Sequence, residues 1–217
     1  MTMPTVKRAK RKPRSPALRA APKQERAVQT RDRLLDIAGE LLGEVGIERI
    51  STNMIAARAG VSPAALYRYF KDKYAILEAL GRRFMDRQNA VLFAWLEKHA
   101  PGGLDALGAN VEELLRATAD ITSREPGGVW IERAMRAVPQ LAHVRVESHR
   151  EVTDAMLEVY APLLPKVNRK ALWRRLRMTV EYGYAIDEML NEEDRIPREE
   201  LFREAAVLLA SARLEGA

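Results

Sequence analysis

Between Pro63 and Lys73 the chain sets two phenols, a guanidinium and two ammonium groups, on Tyr67, Arg68, Tyr69, Lys71 and Lys73, beside the small methyls of Ala64 and Ala65. Groups of this kind make ion pairs and hydrogen bonds to an anionic polymer. The Arg68 fork matches the O6 and N7 acceptors of a guanine in the major groove, and an alanine methyl fits against the methyl of a thymine. Tyr67, Tyr69 and Lys73 reach phosphate oxygens, contacts that set register on a duplex without reading its sequence. The chemistry expected of this stretch is recognition of double-stranded DNA.

Bond-making chemistry finds no comparable pattern. The sequence holds no Gly-x-Ser-x-Gly elbow, no phosphate loop, no dinucleotide glycine fingerprint and no His-Glu-x-x-His helix. His143 and His149 are too far apart in sequence to share a helix face at metal-ligand spacing, and there is no cysteine. The carboxylates of Glu192, Glu193 and Asp194 read as solvated charge. No catalytic residue, metal site or cofactor is expected, and the chain is not read as an enzyme.

Two short helices must present the Pro63 to Lys73 groups. Ser51 is an N-cap residue, and Ile55, Ala56 and Ala59 after it fall on one helical face. Gly60 stands where the helix must end left-handed, and Val61 plugs the corner. Ser62 caps the next helix, with Pro63 at the first position where its missing N–H costs nothing. Leu66 and Phe70 give the apolar spacing of that second helix, expected to run to about Phe70. Asp72 then caps a third. Two helices joined by a glycine turn are a helix-turn-helix, which lays its second helix in the major groove. The same pattern fits a hairpin buried in a larger helical core with its tyrosines as packing; the exposure of Tyr67, Arg68 and Tyr69 separates the two.

The run IAARAGVSPAALYRYFKDKYAIL closely resembles the DNA-binding segment of the tetracycline-repressor (TetR) family. The matching positions are Ile55, Ala56, Ala59, Gly60, Val61, Ser62, Leu66, Tyr67, Tyr69, Phe70 and Lys73, and the likeness extends roughly from Thr30 to Leu80. It implies that Ser51, Thr52, Tyr67, Tyr69 and Lys73 contact the DNA backbone, while Asn53, Pro63, Ala64, Ala65 and Arg68 face the bases. Ala64 departs from the pattern, since the family often has glycine there, so the backbone approaches DNA less closely. Arg31, near the start of the preceding helix, is a further phosphate candidate. The resemblance also implies a pocket for a small, largely apolar molecule, for which Trp130, Met135, His143, Met156, Trp173, Tyr182 and Tyr184 are the candidate lining residues.

A chain of 217 residues with 47% hydrophobic residues supports a sizeable globular core. No stretch approaches eighteen uninterrupted apolar residues, so no membrane-crossing helix is expected. The absence of cysteine suits a reducing cytoplasm, and the basic N-terminal stretch lacks the apolar run of a secretory signal. Charge is unevenly placed. From Met1 to Arg33, eleven Lys and Arg against Glu25 and Asp32 give +9, and a net charge of +6 less +9 leaves −3 for the rest. Residues 1–26, basic and proline-containing without helical period, read as a disordered arm that adds counterion-release affinity for DNA, or else as a solubilising tail.

The rest reads as helices throughout, about nine in all, giving an all-α fold: a DNA-binding domain over 27–73 and a regulatory and dimerisation domain over 74–217, with 73–99 as connector. The first helix runs from about Thr30 to Val45 on the stripe Leu34, Ile37, Ala38, Leu41, Leu42 and Val45. The connector carries Leu77, Leu80, Phe84, Val91 and Trp95 on one side; its tilt could pass a distant signal to the DNA contacts, or it is simply a core helix. A fifth helix holds Leu107 to Ile121, a sixth Val129 to Arg136, and a seventh Leu141 to Val159, ending before Pro162. Asn168 caps the eighth and Pro197 opens the ninth. Small residues at Gly183, Ala205 and Ala212, with Leu208 and Leu209, suit either intrachain packing or a four-helix dimer interface. A two-fold dimer would place two recognition helices about 34 to 36 Å apart, matching a palindromic operator. The sequence therefore reads as a homodimeric DNA-binding regulator, a repressor released by a small-molecule effector. A helical protein-interaction module or a small-molecule carrier is the alternative.

Overall fold

The computed structural model describes residues 17–211, with side chains from residue 24 onward. Helix α1 spans Ala17–Arg49, beginning well before the Thr30 start expected from the apolar stripe. Residues 17–26, expected as disordered arm, are thus helical; residues 1–16 of that arm lie outside the described residues. The segment is rich in Ala, Leu, Arg, Lys, Gln and Glu, and once the buried stripe has nucleated the helix each added residue costs little. Leu34, Ile37, Ala38, Leu41 and Leu42 are buried as expected. Gly46, at φ 75° and ψ 170°, interrupts α1 where its end was expected, and one further turn follows to Arg49.

Helices α2 (Thr52–Ala59) and α3 (Pro63–Tyr67) form the hairpin. Helix α4 (Lys73–His99) starts at Asp72, whose Oδ1 accepts from the Ala75 N–H at 2.8 Å. Leu77, Leu80, Phe84 and Trp95 of α4 are buried, Val91 only partly. The single helix expected over Leu107 to Ile121 is two, α5 (Gly103–Ala109) and α6 (Val111–Arg124). The break falls at Asn110, which leaves helical geometry while its side chain donates to the Ala106 carbonyl at 2.7 Å and its own carbonyl accepts from Trp95 Nε1 at 2.8 Å.

Helix α7 spans Gly128–Ala137, and α8 spans Ala142–Leu163, passing through Pro162 rather than stopping before it. The lost N–H frees only the carbonyl of exposed Glu158, and the end is closed by the Leu164 N–H on the Tyr160 carbonyl at 3.0 Å. Asn168 caps α9 (Arg169–Glu192) through Oδ1, and α10 spans Arg198–Ala210 directly after Pro197. Among the described residues there is no strand, and no helix is long and apolar enough to cross a membrane.

Three apolar clusters hold these helices. The first runs without interruption from Leu34, Ile55, Leu66 and Phe70 through Leu80 and Phe84 to Ile131, Met135 and Val144, joining the hairpin to the body. The second gathers Trp95, Val152, Met156, Tyr160, Leu172 and Leu176. The third packs Leu115 and Ala119 of α6 on Phe202 and Ala205 of α10. Fully burying a residue such as Phe84 contributes about 1.5–3 kcal/mol, so the first cluster fixes the hairpin on α4.

Candidate nucleic-acid interface and ligand cavity

The hairpin forms by local chemistry. Ser51 Oγ accepts from the Met54 N–H at 3.3 Å and Ser62 Oγ from the Ala65 N–H at 3.2 Å. Gly60 is left-handed at φ 65°, and the Val61 N–H reaches back to the Ala56 carbonyl at 3.0 Å, closing the first helix. The second helix ends at Tyr67, sooner than the expected Phe70, because the Arg68 and Tyr69 N–H groups bond three residues back in a tighter turn.

Burial then separates two faces. Leu66 and Phe70 are sealed into the core, while Asn53, Pro63, Ala64, Tyr67, Arg68 and Lys71 are exposed and Ser51, Thr52 and Ala65 partly so. Tyr67 is 52% exposed, and its hydroxyl lies 3.1 Å from Thr52 Oγ1, which aims the phenol outward between α2 and α3. Tyr69 is half-buried against the core edge, so only part of its ring remains for a phosphate. Lys73 Nζ donates to the Ile47 carbonyl at 3.2 Å, tying α4 to the end of α1 at the rim of the same face. Arg31 sits over the Phe70 ring, 5.7 Å from its centroid, also at that rim. Arg58 is engaged by a fork of contacts to Glu44 at 2.5 and 2.8 Å. Of the residues expected at a DNA face, Thr52 and Tyr67 meet directly and Arg31 lies over Phe70, while Tyr69 and Lys73 are less open than the sequence implied.

Residues 34–80 match the family profile described as bacterial regulatory proteins, tetR family. That segment is of the TetR-family type. The chain is similar to the nucleoid occlusion factor SlmA of Pasteurella multocida (strain Pm70), 33% identical over 46% of the chain, and that match spans about half, 48%, of the relative's length. It is similar to the HTH-type transcriptional regulator UidR of Escherichia coli (strain K12), 25% identical over 84% of the chain and 89% of the relative. Its fold is like that of a TetR-family transcriptional regulator from Streptomyces coelicolor, with a TM-score of 0.60, 22% identity, and coverage of 84% and 96% of the two chains.

Away from the hairpin, α4, α6, α8, α9 and the end of α10 line a cavity of about 120 Å³. Of the residues expected to line a pocket, Met156 and Tyr184 do so. The other five lie elsewhere. Trp130 is 42% exposed, under Arg133; Met135 is core against Gly81; His143 faces Glu78 at the surface; Trp173 donates to Asp154; and Tyr182 is 51% exposed. Aromatic and methionine content alone does not show which face of a helix a residue occupies, which is why these expectations failed.

The polar lining was missed altogether. Gln88 and Asn89 of α4 and Asp187 of α9 are buried at the cavity. The available signal was a polar side chain standing on an apolar stripe, Gln88 four residues after Phe84 and Asp187 seven after Val180. Glu132 of α7 lies beside this group. Burial pushes its carboxyl up to about 8, with the neighbouring Asp187 charge adding to the effect, and burial likewise raises Asp187. His149, fully buried and stacked on Tyr184 at 4.1 Å, is lowered to about 4 by burial, even though Glu181 lies 3.0 Å from Nδ1.

The expected interface residues also divide. Ala205 is buried in the third cluster of its own chain, Gly183 lines the cavity and Leu209 is partly buried there, so none of the three supplies an open surface. Leu208 is 70% exposed, and Ala212 lies outside the described residues. The open apolar surface of the same two helices is instead Met178, Tyr182 and Met189 on α9 with Val207 and Leu208 on α10.

Proposed function

We propose that the chain is a sequence-specific DNA-binding transcriptional regulator, a cytoplasmic repressor that works as a homodimer and leaves a palindromic operator when a small molecule enters the cavity. The observation that carries this reading is the outward face of α3 and the turn after it, where Pro63, Ala64, Tyr67 and Arg68 are open while Leu66 and Phe70 anchor the segment from behind. Arg68 reads a guanine, Ala64 and Ala65 meet apolar base edges, Asn53 adds a base contact, and Ser51, Thr52, Tyr67, Tyr69, Lys73 and Arg31 hold phosphates. The chain contributes no catalytic step, metal or cofactor in this reading.

A second copy supplies the other half-site. Met178, Tyr182, Met189, Val207 and Leu208 present an apolar surface on α9 and α10 suited to a self-complementary contact. A ligand in the cavity shifts the DNA-bound population only if it binds one conformation better than the other, and a coupling of about 1–3 kcal/mol changes operator affinity about 5- to 150-fold. The cavity touches α4, whose first residue, Lys73, stands at the DNA face, so displacement of α4 reaches the contacts directly.

Selection from a random-sequence duplex pool tests the reading. The purified chain should enrich a two-fold symmetric motif with half-sites about one helical turn apart. Enrichment of no motif would reject it.

A further inference from the structure

Gln88 and Asp187 line the cavity from α4 and α9 and are 1% and 5% exposed. Thr122 lies between them: its hydroxyl donates to Asp187 Oδ2 at 2.7 Å and accepts from Gln88 Nε2 at 3.1 Å. Gln88 Nε2 also donates to Glu132 Oε1 at 3.2 Å. Both amide hydrogens are therefore committed, which fixes the orientation of the Gln88 side chain and leaves Oε1 as an acceptor. Gln88 Oε1 and Asp187 Oδ1 are both buried without a hydrogen-bond partner.

Buried acceptors left unmatched are costly, and both of these belong to residues of one small cavity. The rest of its wall is largely apolar, with Leu92, Trp95, Met156, Tyr160, Leu176 and Val180. The chain's own cations near this end are engaged elsewhere: Arg198 donates to the Leu190 carbonyl and lies over Phe202, and Arg136 faces Glu188. Glu132 stands beside Asp187 and keeps its proton up to about 8, so the two carboxyls share a hydrogen bond and carry at most one negative charge between them. One end of the cavity thus offers acceptors and a single carboxylate charge, and the other offers hydrocarbon.

We propose that the cavity takes a small organic cation, a primary ammonium on an aromatic or branched-alkyl body, with the ammonium donating to Asp187 Oδ1 and Gln88 Oε1. The cavity of about 120 Å³ is close in size to an engineered cavity of ~150 Å³ that holds benzene, which sets the body at about one ring. An ammonium supplies three donors and no acceptor, matching two unfilled acceptors at a buried carboxyl. A charge-assisted bond there is stronger than the neutral one an alcohol would make. This assignment names the effector class of the regulator proposed above and rests on that reading.

Calorimetric titration of the full chain at pH 7 with 2-phenylethylammonium, and in parallel with 2-phenylethanol, tests it. The amine should bind about tenfold or more tightly than the alcohol, the ratio that one strengthened bond supplies. Asp187→Asn, which keeps the side-chain shape, should bring the amine to the alcohol's affinity while the melting temperature stays at or above that of the parent. No binding of the amine, equal binding of the two compounds, or a preference surviving in Asp187→Asn would overturn the proposal. A chain that takes the amine but holds no duplex upholds the cavity assignment and sinks the regulator reading; one that holds duplex but refuses the amine sinks this assignment alone.

Discussion

Gly39 of α1 and Gly127, in the turn between α6 and α7, meet backbone against backbone. A Cβ on Gly127 would stand 2.1 Å from the Gly39 carbonyl oxygen, and one on Gly39 would stand 2.2 Å from the carbonyl oxygen of Pro126. Gly127 is also left-handed, at φ 71°. Arg83 of α4 crosses the same joint, with Nη2 at 2.8 Å from both Asp36 of α1 and the buried Glu125, and Arg87 adds a second contact to Glu125. The cavity-lining helix α6 therefore ends against α1 through a joint too tight for any side chain. Gly39→Ala must push α1 and the turn apart. Overpacking of this kind costs about 1–3 kcal/mol, or roughly 2 to 12 °C in Tm for a chain of this size. Differential scanning calorimetry should show that fall, and an unchanged Tm would mean that the joint gives way freely.

The open apolar surface on α9 and α10 can be tested without disturbing the core. Leu208 is 70% exposed and Val207 64%, so a charge at either position disturbs little of the single chain. Leu208→Glu should convert a dimer to a monomer in sedimentation at micromolar concentration while the helical circular dichroism stays the same. A variant that remains a dimer would place the contact elsewhere.

Glu132 gives the stability a pH dependence of definite sign. Its folded-state value is raised to about 8 from 4.5, so the native chain keeps a proton that the unfolded chain has already released. Its contribution is fully present below about pH 4.5 and is lost as pH rises toward 8. His149, lowered to about 4 from 6.5, acts the other way: its contribution is present above pH 6.5 and lost as pH falls toward 4. Measured against Glu132→Gln, which removes the Glu132 titration and leaves His149 in place, the parent Tm should decline relative to the variant between pH 5 and 8. Parallel Tm curves across that range would contradict the assignment.

The helical hairpin was legible because its signals are local. Ser51, Gly60, Ser62 and Asp72 each act on amides within four residues, and the structure uses them all as caps or turns. The early end of α3 at Tyr67 was less legible, since Leu66 and Phe70 keep helical spacing even where the turn tightens between them. The cavity was hardly legible at all. Which side of α7, α8 or α9 faces inward depends on how several helices meet, so Trp130 and Trp173 read like wall residues while lying outside it. The polar pair did leave a trace in the sequence, because Gln88 and Asp187 interrupt apolar stripes that an uncomplicated core would have kept apolar.

Binding of the selected duplex, followed by fluorescence anisotropy across a range of salt concentrations, tests the DNA-facing role of α3 most directly when the parent is compared with Arg68→Ala and Lys73→Ala. Arg68→Ala should lose about 1–3 kcal/mol on the selected site and discriminate less against a substituted base, with phosphate-borne salt dependence retained. Lys73→Ala should weaken binding alike on every sequence and flatten the salt slope by about one. Loss of affinity by both variants to the same degree on every sequence, or by neither, would contradict the assignment of α3 as the helix that reads the bases.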